Sequence, residues 1–240
     1  MKAPNIGLLR REFELRILVS LGIVAVVCAV SALFTPRMPS TMVLLGGLAG
    51  AGPDAVRRWG FVLLALVMTL VSLLRMWAGT ELTAHRVMAF RVQVDEFHTR
   101  GPYRLVRNPI YLADFIAMCA FSLCLPPVAL VMPLLFGVHY GRLITFEEIS
   151  LSSGFRERFQ SYAACTPRLF PACSSTGPIR EALGEFYLSR EGIRHNSLYV
   201  LFIPGFIAAA WTREFLAAAL IGLPAVADWA IVHTRLGRRR

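Results

Sequence analysis

Two arginines, two phenols, a pair of adjacent carboxylates and a lone aspartate are the residues of this chain whose types and spacing suit chemistry. The first group lies in Gly101-Pro-Tyr-Arg-Leu-Val-Arg-Asn-Pro-Ile-Tyr111, where Arg104 and Arg107 stand three apart and are expected to share a helical face beside Tyr103 and Tyr111. The second is Glu147-Glu148, followed by Phe155, Phe159, Tyr162 and Thr166-Pro-Arg-Leu-Phe-Pro171. A guanidinium grips an anion through paired hydrogen bonds, and a carboxylate accepts from hydroxyl or ammonium groups. Adjacent glutamates repel each other and are poorly matched to a helix C-terminus, so they need partners. Arg104 and Arg107 are the nearest candidates, and a ligand carrying both signs of charge is the other. Asp114, one turn into an apolar run, reads either as a functional residue or as the partner of Arg107 or Arg75. On spacing alone the arginine and tyrosine strip also suits a plainer role, an aromatic belt that holds lipid headgroups.

The elements that must position these residues are membrane helices. Of 240 residues, 56% are hydrophobic and only 17% charged, against about a quarter charged in a soluble domain. The pattern predicts an all-α polytopic protein with spans near residues 17–34, 59–77, 110–125, 128–146, 197–211 and 214–233, joined in hairpins with short amphipathic helices outside the bilayer. Residues 41–52 are apolar but too short to cross, which favours a re-entrant or interfacial segment. Leu125-Pro-Pro127 breaks the long apolar run from Ile110 to Phe146 into two helices. That fold-back returns the two polar motifs to one membrane face. Polar helices are expected over 79–100, over 147–165 lying against the membrane, and over 181–196. The whole chain, 1–240, reads as one membrane domain.

The net charge of +10 is explained by topology. With six crossings, twenty-one of the 25 Lys and Arg residues fall on the side of both termini, Arg75 and Arg142 among them at helix ends; Arg37, Arg57, Arg58 and Arg213 fall opposite. That asymmetry predicts cytoplasmic termini in a bacterial inner membrane, with membrane lipids as partners and nucleic acid excluded as one. Cys28, Cys119, Cys124, Cys165 and Cys173 form no Cys-x-x-Cys pair, and His85, His98 and His195 have no second ligand at useful spacing, so no metal site is expected.

The order Gly-Pro-Tyr-Arg-x-x-Arg-Asn-Pro-x-Tyr, apolar hairpin, Glu-Glu, Phe155, Phe159-x-x-Tyr162 and Thr-Pro-Arg-Leu-Phe-Pro resembles the isoprenylcysteine carboxyl methyltransferase and phospholipid methyltransferase superfamily over residues 79–171. The resemblance implies an integral membrane enzyme that moves a methyl group from S-adenosylmethionine to a lipophilic acceptor, such as an isoprenylcysteine-like carboxylate, a lipid amine or another small hydrophobic nucleophile. It places Tyr103, Arg104, Arg107, Asn108, Pro109 and Tyr111 on one wall of the cofactor site and Glu147 and Glu148 on the other, with the catalytic weight on Arg107 and Glu148. Asp114, Tyr162 and Arg168 are expected toward the acceptor, and the C-terminal hairpin of 197–233 lies outside the resemblance and is expected to shape acceptor choice. The chain departs from the family pattern at Asn108, where His is usual, at Ala113 for Gly, and at Phe155-Arg156 for Phe-Gly. Membrane sterol reductases carry a similar Arg-x-Pro-x-Tyr run with an acid shortly after it, as in Tyr111-Leu-Ala-Asp114, which makes an NADPH-dependent reductase the rival enzyme. A non-catalytic lipid-binding protein is the rival from another class.

Overall fold

The computed structural model describes residues 5–82, 98–171 and 176–238. Among them the chain forms eleven α-helices and no strand: α1 (Ile6–Glu14), α2 (Arg16–Phe34), α3 (Thr41–Leu48), α4 (Pro53–Glu81), α5 (Pro109–Leu123), α6 (Val131–Gly154), α7 (Arg156–Cys165), α8 (Thr176–Gly184), α9 (Arg190–Asn196), α10 (Phe202–Thr212) and α11 (Phe215–Arg238). Three stretches are long and apolar enough to span a bilayer, Arg16–Phe34, Pro53–Glu81 and Pro127–Gly154; Pro109–Leu123, Phe202–Thr212 and Phe215–Asp228 are shorter apolar helices. The helix expected over 79–100 is seen only as the end of α4. Residues 83–97, with His85, Arg86 and Arg91, lie outside the described residues, as do Lys2 and Cys173, and residues 98–100 are not helical.

The long helix α4 organises the bundle. Pro53 sits in its first turn with Asp54, where a missing N–H and a negative charge are both tolerated. Its inner face, Phe61, Leu64, Met68 and Val71, meets α5 and α10, with Phe61 stacked 6.1 Å from Phe206. Phe121 of α5 closes the same core, edge-on to Phe202 at 4.7 Å. At the far end of the α5–α6 hairpin, Pro126 and Pro127 turn the chain, and Thr41 ties α3 to the turn by donating both its backbone N–H and its hydroxyl to the Leu125 carbonyl, at 2.8 and 2.9 Å. The short α1 is fixed to α6 by Glu12, which pairs with His139 Nδ1 at 2.8 Å and with Arg142.

Some sequence expectations about these helices change in the structure. The segment 147–165 is not one helix on the membrane face: α6 runs on to Gly154, and the chain breaks at Phe155 (φ −130°, ψ 41°) before α7. The segment 181–196 is two helices, α8 and α9, parted at 185–189 because Ser189 caps α9 by accepting from the Gly192 N–H. Neither Arg75 nor Arg142 sits at a helix end: Arg75 is 3% exposed, inside α4, and paired with Asp114, and Arg142 lies midway along α6, paired with Glu12.

A cavity of about 660 Å³ lies between these helices. Each helix presents one face to it: Tyr111, Asp114, Met118 and Phe121 from α5, Tyr140, Leu143, Glu147 and Leu151 from α6, Ile17, Leu21, Val24 and Cys28 from α2, and Phe215, Ala219, Leu223 and Val226 from α11. Spacings of three and four residues put each set on a single helical stripe. Helix α2 rests on α6 and the 127–130 turn and does not pack closely on α11 across the cavity. Its outer face, with Leu18, Val26, Val30 and Leu33, is exposed.

Candidate functional site

The polar end of the cavity is built where the two motifs meet. Gly101, at φ +55°, takes a left-handed conformation that lets the tight turn Gly101–Arg104 form. Asn108 then precedes α5 as its N-cap position with Pro109 at N1, and residues 107–108 lie along the segment after α7: the Arg107 N–H donates to the Pro167 carbonyl at 2.8 Å, and Asn108 Nδ2 donates to the Arg168 carbonyl at 2.8 Å. The side chain that stands where the family pattern has His therefore serves as a strap between motifs.

Arg107 is the hub of this end. Its Nε donates to Glu148 Oε1 at 2.9 Å, and its Nη1 donates to the carbonyls of Ala163 (2.8 Å) and Thr166 (2.9 Å), the carbonyls left open at the C-terminus of α7. Glu148 is gripped from its other side by Arg168 Nε at 3.0 Å, and Arg168 Nη2 donates to Thr145 Oγ1 at 2.7 Å. Glu147 points one position around the helix, where its Oε1 accepts from the Tyr111 hydroxyl at 2.7 Å. Its second oxygen takes no hydrogen bond among the described residues. The twin glutamates thus resolve their repulsion by facing different partners. Tyr162 donates to the Tyr103 carbonyl at 2.6 Å, and burial pushes both phenols above the usual tyrosine range, which keeps them neutral donors.

Tyr103, Arg107, Asn108, Pro109, Tyr111, Asp114, Glu147, Glu148 and Tyr162 all line the cavity. Arg104 and Arg168 do not. Arg104 and Arg107 do not share a face, because the turn at 101–104 sends Arg104 outward to Glu185 (3.0 and 3.1 Å) and Glu181 (3.1 Å). Sequence reasoning passed over Tyr140, Tyr199 and Arg16, which also line the cavity. Arg75 and Tyr199 both bind Asp114, Tyr199 by donating at 3.0 Å. An ionisable residue inside a span was the available signal for Arg75, the same signal that marked Asp114. Nothing in the motif order marks Tyr199, which arrives from the C-terminal part of the fold.

Glu185 latches the 176–189 segment to the turn before α5. It accepts from Arg104 and from the Gly101 N–H at 2.7 Å, and these bonds, Arg104 first, hold its carboxyl down at about 2. A carboxylate lowered in the folded state stabilises above its unfolded range near 4 and loses that contribution as pH falls through the folded value. Hydrogen exchange of the peptide around Gly101, corrected for intrinsic rate, is therefore expected to stay slow from neutral pH to about 4 and rise toward about 2. In Glu185→Gln the same peptide should exchange fast at every pH; unchanged protection would show that the latch does not hold the turn.

Comparison with known proteins agrees with this architecture. Residues 56–158, from the start of α4 into α7, match the family model described as phospholipid methyltransferase. The nickel-cobalt-cadmium resistance protein NccN of Alcaligenes xylosoxydans xylosoxydans is 28% identical over 111 residues, 45% of this chain and 48% of that protein. The cobalt-zinc-cadmium resistance protein CzcN of Cupriavidus metallidurans is 35% identical over 78 residues, 32% of this chain and 36% of that protein. The chain spans less than half the length of these curated relatives. No solved structure matches it. The matched segment holds nearly all of α4, the α5–α6 hairpin and the Arg107–Glu148 and Tyr111–Glu147 pairs, so the part of this apolar helical protein that is similar to the phospholipid methyltransferase family, in the isoprenylcysteine carboxyl methyltransferase-type superfamily, is the part that carries both pairs.

Proposed function

We propose that this chain is a membrane methyltransferase that uses S-adenosylmethionine as donor and a lipophilic molecule as acceptor. The observation that carries this reading is one cavity with two characters: carboxylates, arginines and phenols at the end where the motifs meet, and aliphatic and aromatic side chains from α2, α5, α6, α10 and α11 along its length. A volume of about 660 Å³ is within the range of small-molecule sites.

The residues at the polar end fit the donor. The open Glu147 oxygen suits ribose hydroxyls or the amino group, Arg16 beside Glu147 supplies positive charge for the carboxylate, and the rings of Tyr103, Phe159 and Tyr162 offer surface for the adenine. Bound there, S-adenosylmethionine supplies a methyl group on a good leaving group, so alignment and exclusion of water are the main catalytic demands. Arg107 and Glu148 answer the first demand by fixing α7 against α6. The apolar walls answer the second.

Labelled S-adenosylmethionine should be retained by the purified protein, and Glu147→Gln should weaken retention at least tenfold while leaving the fold intact, since the amide still accepts from Tyr111. Retention of NADPH instead, or of neither molecule, would overturn the assignment. The two relatives are named for metal resistance, so membranes of cells grown with and without nickel, cobalt or cadmium are the lipid extracts to offer first.

A further inference from the structure

Deeper than the Tyr111–Glu147 pair, the cavity holds a second polar cluster on the next turn of α5. Arg75 and the Tyr199 hydroxyl both bind Asp114 Oδ1, and the Arg75 guanidinium lies 5.9 Å from the centre of the Tyr199 ring. Tyr140 of α6 stands beside them, 6% exposed, with its ring tilted against Tyr111 at 5.2 Å between centres. All four side chains line the cavity. Two polar atoms of the cluster are uncommitted: neither Asp114 Oδ2 nor the Tyr140 hydroxyl has a hydrogen bond among the described residues. Both belong to side chains that line the cavity, so a group that enters it can meet them.

On the donor reading above, we propose that Asp114 and Tyr140 hold the reacting group of the acceptor, and that the acceptor is a neutral lipophile bearing an O–H, a phenol or an alcohol. Charge and hydrogen-bond capacity decide the class. Arg75 is matched by Asp114 and Arg107 by Glu148, and Arg16, beside Glu147 at the polar end, is assigned to the donor's carboxylate, so no arginine of the cavity is left to an anionic acceptor at Asp114. The open Asp114 oxygen repels an anion, and does so strongly where water is excluded. An ammonium would satisfy Asp114 but has no lone pair with which to attack. A hydroxyl donates its hydrogen to Asp114 Oδ2 while its oxygen accepts from Tyr140, which matches the two uncommitted atoms one for one.

In the transfer, a lone pair of the hydroxyl oxygen forms the bond to the methyl carbon. The carbon–sulfur bond breaks with its electron pair left on sulfur, and the hydroxyl proton passes to Asp114 Oδ2. One positive charge leaves sulfur and one arrives as the proton, so the charge of the cavity is unchanged.

The test uses the full chain in lipid nanodiscs with three probes: 4-dodecylphenol, N-acetyl-S-farnesylcysteine as a carboxylate, and phosphatidylethanolamine. Binding of tritiated 4-dodecylphenol, measured without donor, is expected for the wild type and at least tenfold weaker in Tyr140→Phe and Asp114→Asn. Tyr140→Phe removes a hydroxyl that has no hydrogen bond among the described residues, so a loss there is not a folding effect. With labelled S-adenosylmethionine present, label should enter the phenol as an ether at least tenfold faster than it enters the other probes, and both variants should lose this while still retaining donor. Preferential labelling of either other probe, labelling of none while donor is retained, or wild-type phenol binding by Tyr140→Phe overturns the proposal. Failure of the wild type to retain donor overturns the methyltransferase reading instead, and the phenol-binding measurement then decides the subsite by itself.

Discussion

Arg107→Ala is expected to lower the unfolding free energy by about 3–5 kcal/mol and to abolish measurable donor retention. The substitution removes one side chain but three contacts: an ion pair whose members are 14% and 18% exposed, and two hydrogen bonds to carbonyls at the end of α7. Breaking one half of a buried pair costs more than the pair contributes, because the remaining charge and carbonyls stay desolvated. Glu148 keeps Arg168, which limits the loss on that side. The carbonyls of Ala163 and Thr166 keep nothing comparable, so α7 should come away from α6 and take Phe159 and Tyr162 out of the cavity wall. Arg107→Lys is the sharper comparison. An ammonium on a flexible stem keeps the charge but not the fork that reaches Glu148 and two carbonyls at once, and so should recover only a minor part of the stability. Denaturant or mixed-micelle unfolding with donor binding on the same samples measures both. Near-normal values for Arg107→Ala would show that the hub is not needed.

The second large effect is at Arg75 and Asp114. Arg75→Met and Asp114→Leu should each destabilise by about 3–5 kcal/mol, since Arg75 and Asp114 are 3% and 15% exposed and each would be left facing apolar surroundings without its counter-charge. The double substitution should recover most of that loss, because well-packed apolar pairs commonly match or exceed buried ion pairs in stability. Recovery of the fold without recovery of acceptor-probe binding would separate what this pair does for function from what it does for stability. A double variant as unstable as the sum of the singles would refute the pairing as the source of the cost.

The hairpin and its consequence were legible from the sequence for a physical reason. Pro126 and Pro127 cannot continue a helix, and a fold-back in lipid must return the chain to the face it left, so Arg107 and Glu148 had to meet. The direction of Arg104 was not legible. Its partner Glu185 lies 81 residues further on, and a spacing of three suggests a shared face only if both residues are helical. The turn at 101–104 removes that condition. The break at Phe155 was hidden in the same way: the apolar spacing of Ile149, Leu151, Phe155 and Phe159 continues across it, and periodicity does not register one non-helical residue. Asp114 announced itself by its cost in an apolar run, whereas Tyr140 and Tyr199, aromatic residues in aromatic surroundings, carry no such mark until the coordinates set them beside it.

Helix α2 leans on α6 and the 127–130 turn, with its outer face open, and yet forms one side of the cavity. A boundary of this kind gauges what sits at the polar floor but places no end-stop on a hydrocarbon chain that runs outward past it. Chain length and unsaturation of a bound lipophile should therefore matter little to recognition, and selectivity should reside in the few ångströms around its head.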